Sequence, residues 1–294
     1  MRAMTQLVQI LIGGLATGAI YALIAIGFTL LWQTSQTINF AQGEFVMLPA
    51  FFVLIAMSSG LPFWVAALIG VVVSALVLGV FFKKALIDPM LRHGVLPLAI
   101  ATMALSIFLK ESVKSFYSAE AQPFPALVPA RDLHLGPVTV SLQDIATLAI
   151  AILAVALLQW FLAGTRTGRA MQATAQNPTV ARILGVPVER MILLTFVING
   201  AMVALASLLI TPVYLAKFSN GDTLGLAAFI AAIVGGFNQV RGAIVGGLLL
   251  GVAENLAATY VSAQYRGALP LIILIVVILI RPQGLVGRAE ERSV

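Results

Sequence analysis

Long apolar runs separated by short polar stretches dominate the chain. Runs at 7–32, 40–58, 62–84, 97–117, 141–163, 191–213, 225–238, 242–262 and 268–281 predict helices. A helix needs about 20 apolar residues to cross a bilayer core, and most of these runs reach or approach that length. Turn chemistry falls between them, at Ser59-Gly60-Leu61-Pro62, Asp88-Pro89, Asn177-Pro178 and Asn220-Gly221-Asp222. Strand patterning is absent. The pattern therefore predicts an all-α, polytopic transmembrane bundle of about 8–9 spans, and not a barrel. Residues 7–32 are too long for the core of a signal peptide and read as a retained first span.

One stretch breaks the rhythm. Residues 164–190 are polar and basic, with apolar runs on either side (Val140 to Ala163 and Met191 to Val213). A loop carrying Arg166, Arg169, Arg182 and Arg190 is expected on the cytoplasmic face. It has the makings of a short helix, started after Asn177-Pro178 and stopped at Gly185. A helix presented there is a docking element, so the chain is expected to work with a soluble partner.

Polar residues also interrupt the apolar pattern. Gln33 to Glu44 is polar, lacks Lys and Arg, and runs into an apolar stretch containing Pro49. Non-helical polar backbone at membrane depth is tolerated where it packs in protein or lines water. Asn39, Gln42 and Glu44 thus read either as a pathway-lining element or as a short interfacial loop. Asn199 lies within 191–213, and Glu254 and Asn255 lie within 242–262. A carboxylate at the bilayer centre costs about 2.5–3.5 kcal/mol on insertion scales, so Glu254 must face protein or water. Lys110, Glu111 and Lys114 read as an interfacial anchor, with the two lysines on one helical face. Glycines recur at every fourth position, Gly14 to Gly18, Gly242 to Gly246 and Gly247 to Gly251, a spacing that lets helices approach closely. The first and last of these blocks echo one another, as an internal repeat would.

Composition sharpens the class. The chain is 61% hydrophobic and 10% charged, with a mean hydropathy of +1.05, which leaves little for a soluble domain. One polytopic transmembrane domain, 1–294, is expected, with 164–190 as its cytoplasmic loop. The net charge of +6 comes from basic residues at span ends, so nucleic acid is not an expected partner. With 83–96, 164–190, 239–241 and the C-terminal tail inside, 11 of the 17 basic residues are cytoplasmic: Lys83, Lys84, Arg92, the four loop arginines, Arg241, Arg281, Arg288 and Arg292. Arg2, Lys110, Lys114, Arg131, Lys217 and Arg266 stay outside. The C-terminus is then cytoplasmic, and nine spans place the N-terminus outside unless 33–58 is re-entrant or 225–262 is not two full spans. Trp32, Trp64 and Trp160 fall near span ends, as interfacial tryptophans do. There is no cysteine, His93 and His134 have no ligand spacing, and no Walker, HExxH or GxSxG motif occurs. Neither a metal nor a cofactor nor catalysis on this chain is expected.

Four blocks together resemble a known family. They are residues 14–31 (GLATGAIYALIAIGFTLL) followed by Ile38 to Glu44, residues 165–185 (TRTGRAMQATAQNPTVARILG), residues 233–254 (IVGGFNQVRGAIVGGLLLGVAE), and Arg281 to Leu285. Their order resembles the LivH-type permease subunits of ABC importers for branched-chain amino acids, along nearly the whole chain. Gln42 stands where that family commonly has His. The resemblance implies an inner-membrane importer assembled from a second homologous permease subunit, two ATP-binding subunits and a periplasmic solute-binding protein. ATP hydrolysis would then be on partner chains. It also implies that Asn177, Pro178, Ala181, Arg182 and Gly185 couple to the ATPase. Thr179 to Gly185 matches the E-A-A-x-x-x-G docking motif in its Ala and Gly but lacks the Glu. Related permeases carry urea, amides or aromatic acids, and these remain alternative solutes. An ion-coupled secondary transporter is a further alternative; it would need paired intramembrane charges, and only Glu254 lies deep in a span.

Overall fold

The computed structural model describes residues 2–91, 93–129, 131–135 and 138–287. Arg92, Arg288 and Arg292 lie outside the described residues. Arg2 is described only as helical backbone. Eleven helices are seen among the described residues: α1 (Arg2–Ser35), α2 (Gln42–Ser58), α3 (Phe63–Leu91), α4 (Val95–Phe116), α5 (Leu142–Gly164), α6 (Arg166–Gln176), α7 (Pro178–Ile183), α8 (Val188–Tyr214), α9 (Asn220–Gly235), α10 (Val240–Tyr260) and α11 (Leu269–Ile280). Six of them, α1, α3, α4, α5, α8 and α10, are long and apolar enough to cross a membrane; α2, α9 and α11 are shorter apolar helices. The expected all-α bundle is what the chain forms.

Three sequence expectations are corrected. Strand patterning was expected to be absent, yet β1 (Asp132–Leu135) and β2 (Val138–Ser141) form an antiparallel hairpin with Leu133 opposite Val140. Its alternation lasts only four residues per strand, too short to stand out among apolar runs. Asp88-Pro89 is not a turn: α3 runs on to Leu91, so Lys83 and Lys84 are helical and not in a loop. Pro89 is the second residue of a short α-wound end that follows the π-wound stretch directly. Asn220-Gly221-Asp222 is likewise the first turn of α9, where Asn and Asp suit the exposed N–H groups. Lys110 is ion-paired with Asp222, and Lys114 with Glu111 at 3.3 Å.

Two compact units are formed. The first comprises 1–29, 128–151 and 226–294. Here α1 and α10 pack backbone against backbone: a Cβ on Gly18 would lie 2.8 Å from Leu248 Cα, and one on Gly14 would lie 2.9 Å from Val252 Cα. Gly247 faces Ala22, and Gly251 faces Gly14 and Gly18. Gly242 and Gly246 meet Gly235 and Ala231 of α9 in the same way. The segment after Arg281 folds back on α9. Leu285 N–H donates to the Val234 carbonyl at 2.8 Å and Val286 N–H to Gly235 at 3.0 Å, satisfying carbonyls that the helix end leaves open.

The second unit comprises 30–127 and 152–225. Phe45 of α2 and Phe82 of α3 meet edge to face with centroids 4.7 Å apart, Phe82 and Phe196 of α8 are tilted with centroids 5.9 Å apart, and all three rings are buried. Gly79 and Gly200 let α3 and α8 touch, a Gly79 Cβ lying 2.7 Å from Val197 Cα. Between Ser74 and Asp88 the helix α3 is wound wider than an α-helix: Ala75–Phe81 and Lys83–Ile87 are π-helical. Large apolar side chains of α4 and α5, such as Leu96, Ile107, Leu153 and Trp160, remain exposed, as lipid-facing side chains do. Trp64 is exposed as well, and Trp32 is half-buried.

Candidate functional site

The polar segment between α5 and α8 folds into two short helices, of which sequence reasoning anticipated one. In α6 the Thr165 side chain accepts from Gly168 N–H at 2.9 Å. Gly168 allows α6 to fold onto the end of α5, since a Cβ there would lie 2.6 Å from Leu162 Cα. Met171 and Thr174 complete the buried face. The period is helical, but Gly and Thr disguise it in an apolarity pattern.

Each end of α7 is held by a specific group. Asn177 Oδ1 accepts from Thr179 and Val180 N–H, both at 3.0 Å, and Pro178 occupies the first turn. At the far end Gly185 has φ +83°. Val186 N–H bonds to the Ala181 carbonyl at 2.9 Å and Gly185 N–H to Arg182 at 3.1 Å, a Schellman closure. A Cβ on Gly185 would meet nothing within 4 Å, so the glycine is required for its left-handed backbone and not for space. Ala181 is buried and seats the helix. Val180, Ile183 and Leu184 point outward, Ile183 at 79% and Leu184 at 75% exposure, with Arg182 beside them. No sequence signal marked these three as exposed. All four arginines of the segment are exposed. Asn177→Ala should destabilise α7 by about 1 kcal/mol, visible as faster proteolysis of the intact protein between 177 and 186 with the spans left whole.

The predicted pathway residues fall into separate clusters. In the second unit Gln42 and Asn199 exchange hydrogen bonds, Gln42 Nε2 donating to Asn199 Oδ1 at 2.7 Å and Asn199 Nδ2 to Gln42 Oε1 at 3.1 Å. Asn39 Nδ2 also reaches Gln42 Oε1 at 3.4 Å, while its Oδ1 accepts from Ala41 N–H. Asn39, Gln42 and Asn199 are fully buried. Glu44 is buried too, with Ser106, Lys110 and Asp222 acting on its carboxylate. In the first unit Glu254 accepts from Tyr21 Oη at 2.9 Å and from Arg266 Nε at 3.5 Å. Neither partner was foreseen, since Tyr21 is distant in sequence and Arg266 reads as an outer anchor. Asn255 Nδ2 bonds back to the Gly251 carbonyl of its own helix at 3.0 Å. A groove of about 400 Å³ in the second unit is lined by Val71, Leu158, Phe161, Met202 and other apolar residues, and none of the predicted pathway residues lines it.

This architecture agrees with comparisons to known proteins. A family model described as "Branched-chain amino acid transport system / permease component" matches residues 10–278. The high-affinity branched-chain amino acid transport system permease protein BraD of Pseudomonas aeruginosa is 33% identical over 301 residues, covering 97% of each chain. LivH of Escherichia coli K12, a permease protein of the same description, is 32% identical over 300 residues, again covering 97% of each. A probable LivH of Methanocaldococcus jannaschii is 28% identical, covering 95% of this chain and 92% of that one.

Proposed function

The chain belongs to the branched-chain amino acid transport permease family, and from that premise we propose that it is the membrane-spanning subunit of an ABC importer for branched-chain or other hydrophobic amino acids. It is a multi-pass protein of the inner membrane. A second related permease chain completes the pathway, two ATP-binding subunits drive it, and a periplasmic binding protein delivers the solute. The C-terminus and 164–190 face the cytoplasm. The chain itself carries no cofactor.

One observation carries the partner assignment: α7 presents Val180, Ile183, Leu184 and Arg182 outward on a helix fixed at both ends, between two apolar spans. An apolar face there suits a groove on an ATPase. The test is Gly185→Trp in the complete complex. The expected result is loss of ATPase co-purification or of ATP-driven leucine uptake, with the permease still in the membrane. Gly185→Asn tolerates the same backbone and should couple normally. Normal uptake by the Trp variant with its ATPases bound would refute the assignment.

Asn39, Gln42, Glu44, Asn199, Glu254 and Asn255 form the polar lining of the route in this reading. Because Asn39, Gln42 and Asn199 satisfy one another in the conformation described, they meet water only after rearrangement. Labelling of Asn39→Cys by a small polar thiol reagent should therefore rise at least several-fold in one nucleotide state over the other. Equal, negligible labelling in every state would make the cluster packing only.

A further inference from the structure

We propose that the end of α3 is a register switch in which Asp88 pairs with Lys83 while the helix is π-wound and with Lys84 when it rewinds to α. The Lys83 ammonium, 6% exposed, sits 2.7 and 3.0 Å from the two carboxylate oxygens of Asp88. These residues are five apart. Around an α-helix, positions i and i+5 point about 140° apart, so such a pair is out of reach. A π-helix closes i to i+5, and Lys83–Ile87 is wound in that way. The wide turn therefore brings the ion pair together.

The sequence holds the alternative pair ready. Lys84 is exposed and forms no ion pair among the described residues. It is four residues before Asp88, the spacing that an α-helix brings onto one face. Rewinding removes Asp88 from Lys83, and a buried ammonium left without an anion is strongly disfavoured. Glu189 covers that need. Its Oε2 already lies 3.7 Å from Lys83, and its Oε1 lies 3.8 Å from Arg182 of α7. Glu189 is 73% exposed, and exposed pairs at such distances are weak and easily exchanged. The switch thus shares one carboxylate with α7. Gly79 and Gly200 keep the π-wound stretch against α8, which begins just after α7. In this scheme, movement of α7 changes which anion Lys83 holds and hence the winding of a span. This link to the ATPase, through Glu189, rests on α7 being the docking helix; the register switch itself does not.

The chain has no cysteine, so spin labels can be placed at Leu68→Cys and Leu91→Cys, both exposed and both on α3, on either side of the stretch. Their separation is measured by electron–electron double resonance in the full complex, nucleotide-free and trapped with ADP and vanadate. The Lys83–Ile87 stretch returns about one residue rise when it reverts, so the main distance should lengthen by roughly 1.5 Å on trapping. Lys84→Gln should abolish the change and Lys84→Arg should keep it. ATPase retention is scored on the same samples. An unchanged distance in complexes that hold their ATPases, or a full shift in Lys84→Gln, overturns the switch and leaves the docking assignment standing. A full shift in a Gly185→Trp complex that retains its ATPases overturns the docking assignment and leaves the switch.

Discussion

Gly251→Leu should prevent recovery of folded protein, whereas Gly267→Leu should be silent. A Cβ on Gly251 overlaps the backbone of Gly18 and the carbonyl oxygen of Gly14; one on Gly267 meets nothing within 4 Å. The difference lies in what would have to yield. Ordinary overpacking costs about 1–3 kcal/mol because neighbouring side chains shift. Between α1 and α10 the neighbours are main chain, and relief requires separating two helices along the line from Gly14 to Gly251. Small residues are the principal means by which helices associate in lipid, where water no longer drives apolar burial. The expected loss therefore exceeds that range, and the measurement is the monodisperse yield after detergent extraction. A Gly251→Leu protein that elutes and melts like the parent would show that the α1–α10 contact is not required for the fold.

Gln42→Leu should lower stability more than the double replacement Gln42→Leu with Asn199→Leu. The single change removes both hydrogen bonds between the two amides and leaves Asn199 Oδ1 and Nδ2, with Asn39 Nδ2, buried without these partners. Each orphaned buried group costs about 1–3 kcal/mol, so the single change loses several times that of one group, while the double replacement leaves only Asn39 Nδ2 orphaned. Thermal melting of the complex in detergent, run as a double-mutant cycle, gives the coupling directly. Equal or additive losses would mean that the two amides do not act as a pair. Gln42→His retains a ring donor for Asn199 Oδ1 and should stay close to the parent.

These two sites show what was legible beforehand. The apolar runs gave away the spans because burial in lipid demands uninterrupted hydrophobicity, and the glycine spacing marked the faces that meet. Which glycines oppose which was not legible, since Gly18 and Leu248 are joined only by the fold. The same holds for Glu254: a lone carboxylate demanded a partner, but Tyr21 and Arg266 could not be singled out. The start of α9 was misplaced because polar residues that suit a helix N-terminus also suit a turn. The π-wound part of α3 left no trace, because Ala75 to Phe82 is apolar at nearly every position and so carries no period to distort. What did remain in the sequence was the pair of adjacent lysines ahead of Asp88, whose spacing acquires meaning only once the winding is seen.

The caps of α7 bear on how a complex would assemble. Asn177, Pro178 and the closure at Gly185 fold this segment by its own bonds, so no ordering cost is left for the encounter with a partner. A pre-shaped element of this kind binds with little rearrangement and saves the conformational entropy that a disordered loop would lose at the interface. Its association is then limited by how often two correctly turned surfaces collide, typically about 10⁵–10⁷ M⁻¹s⁻¹.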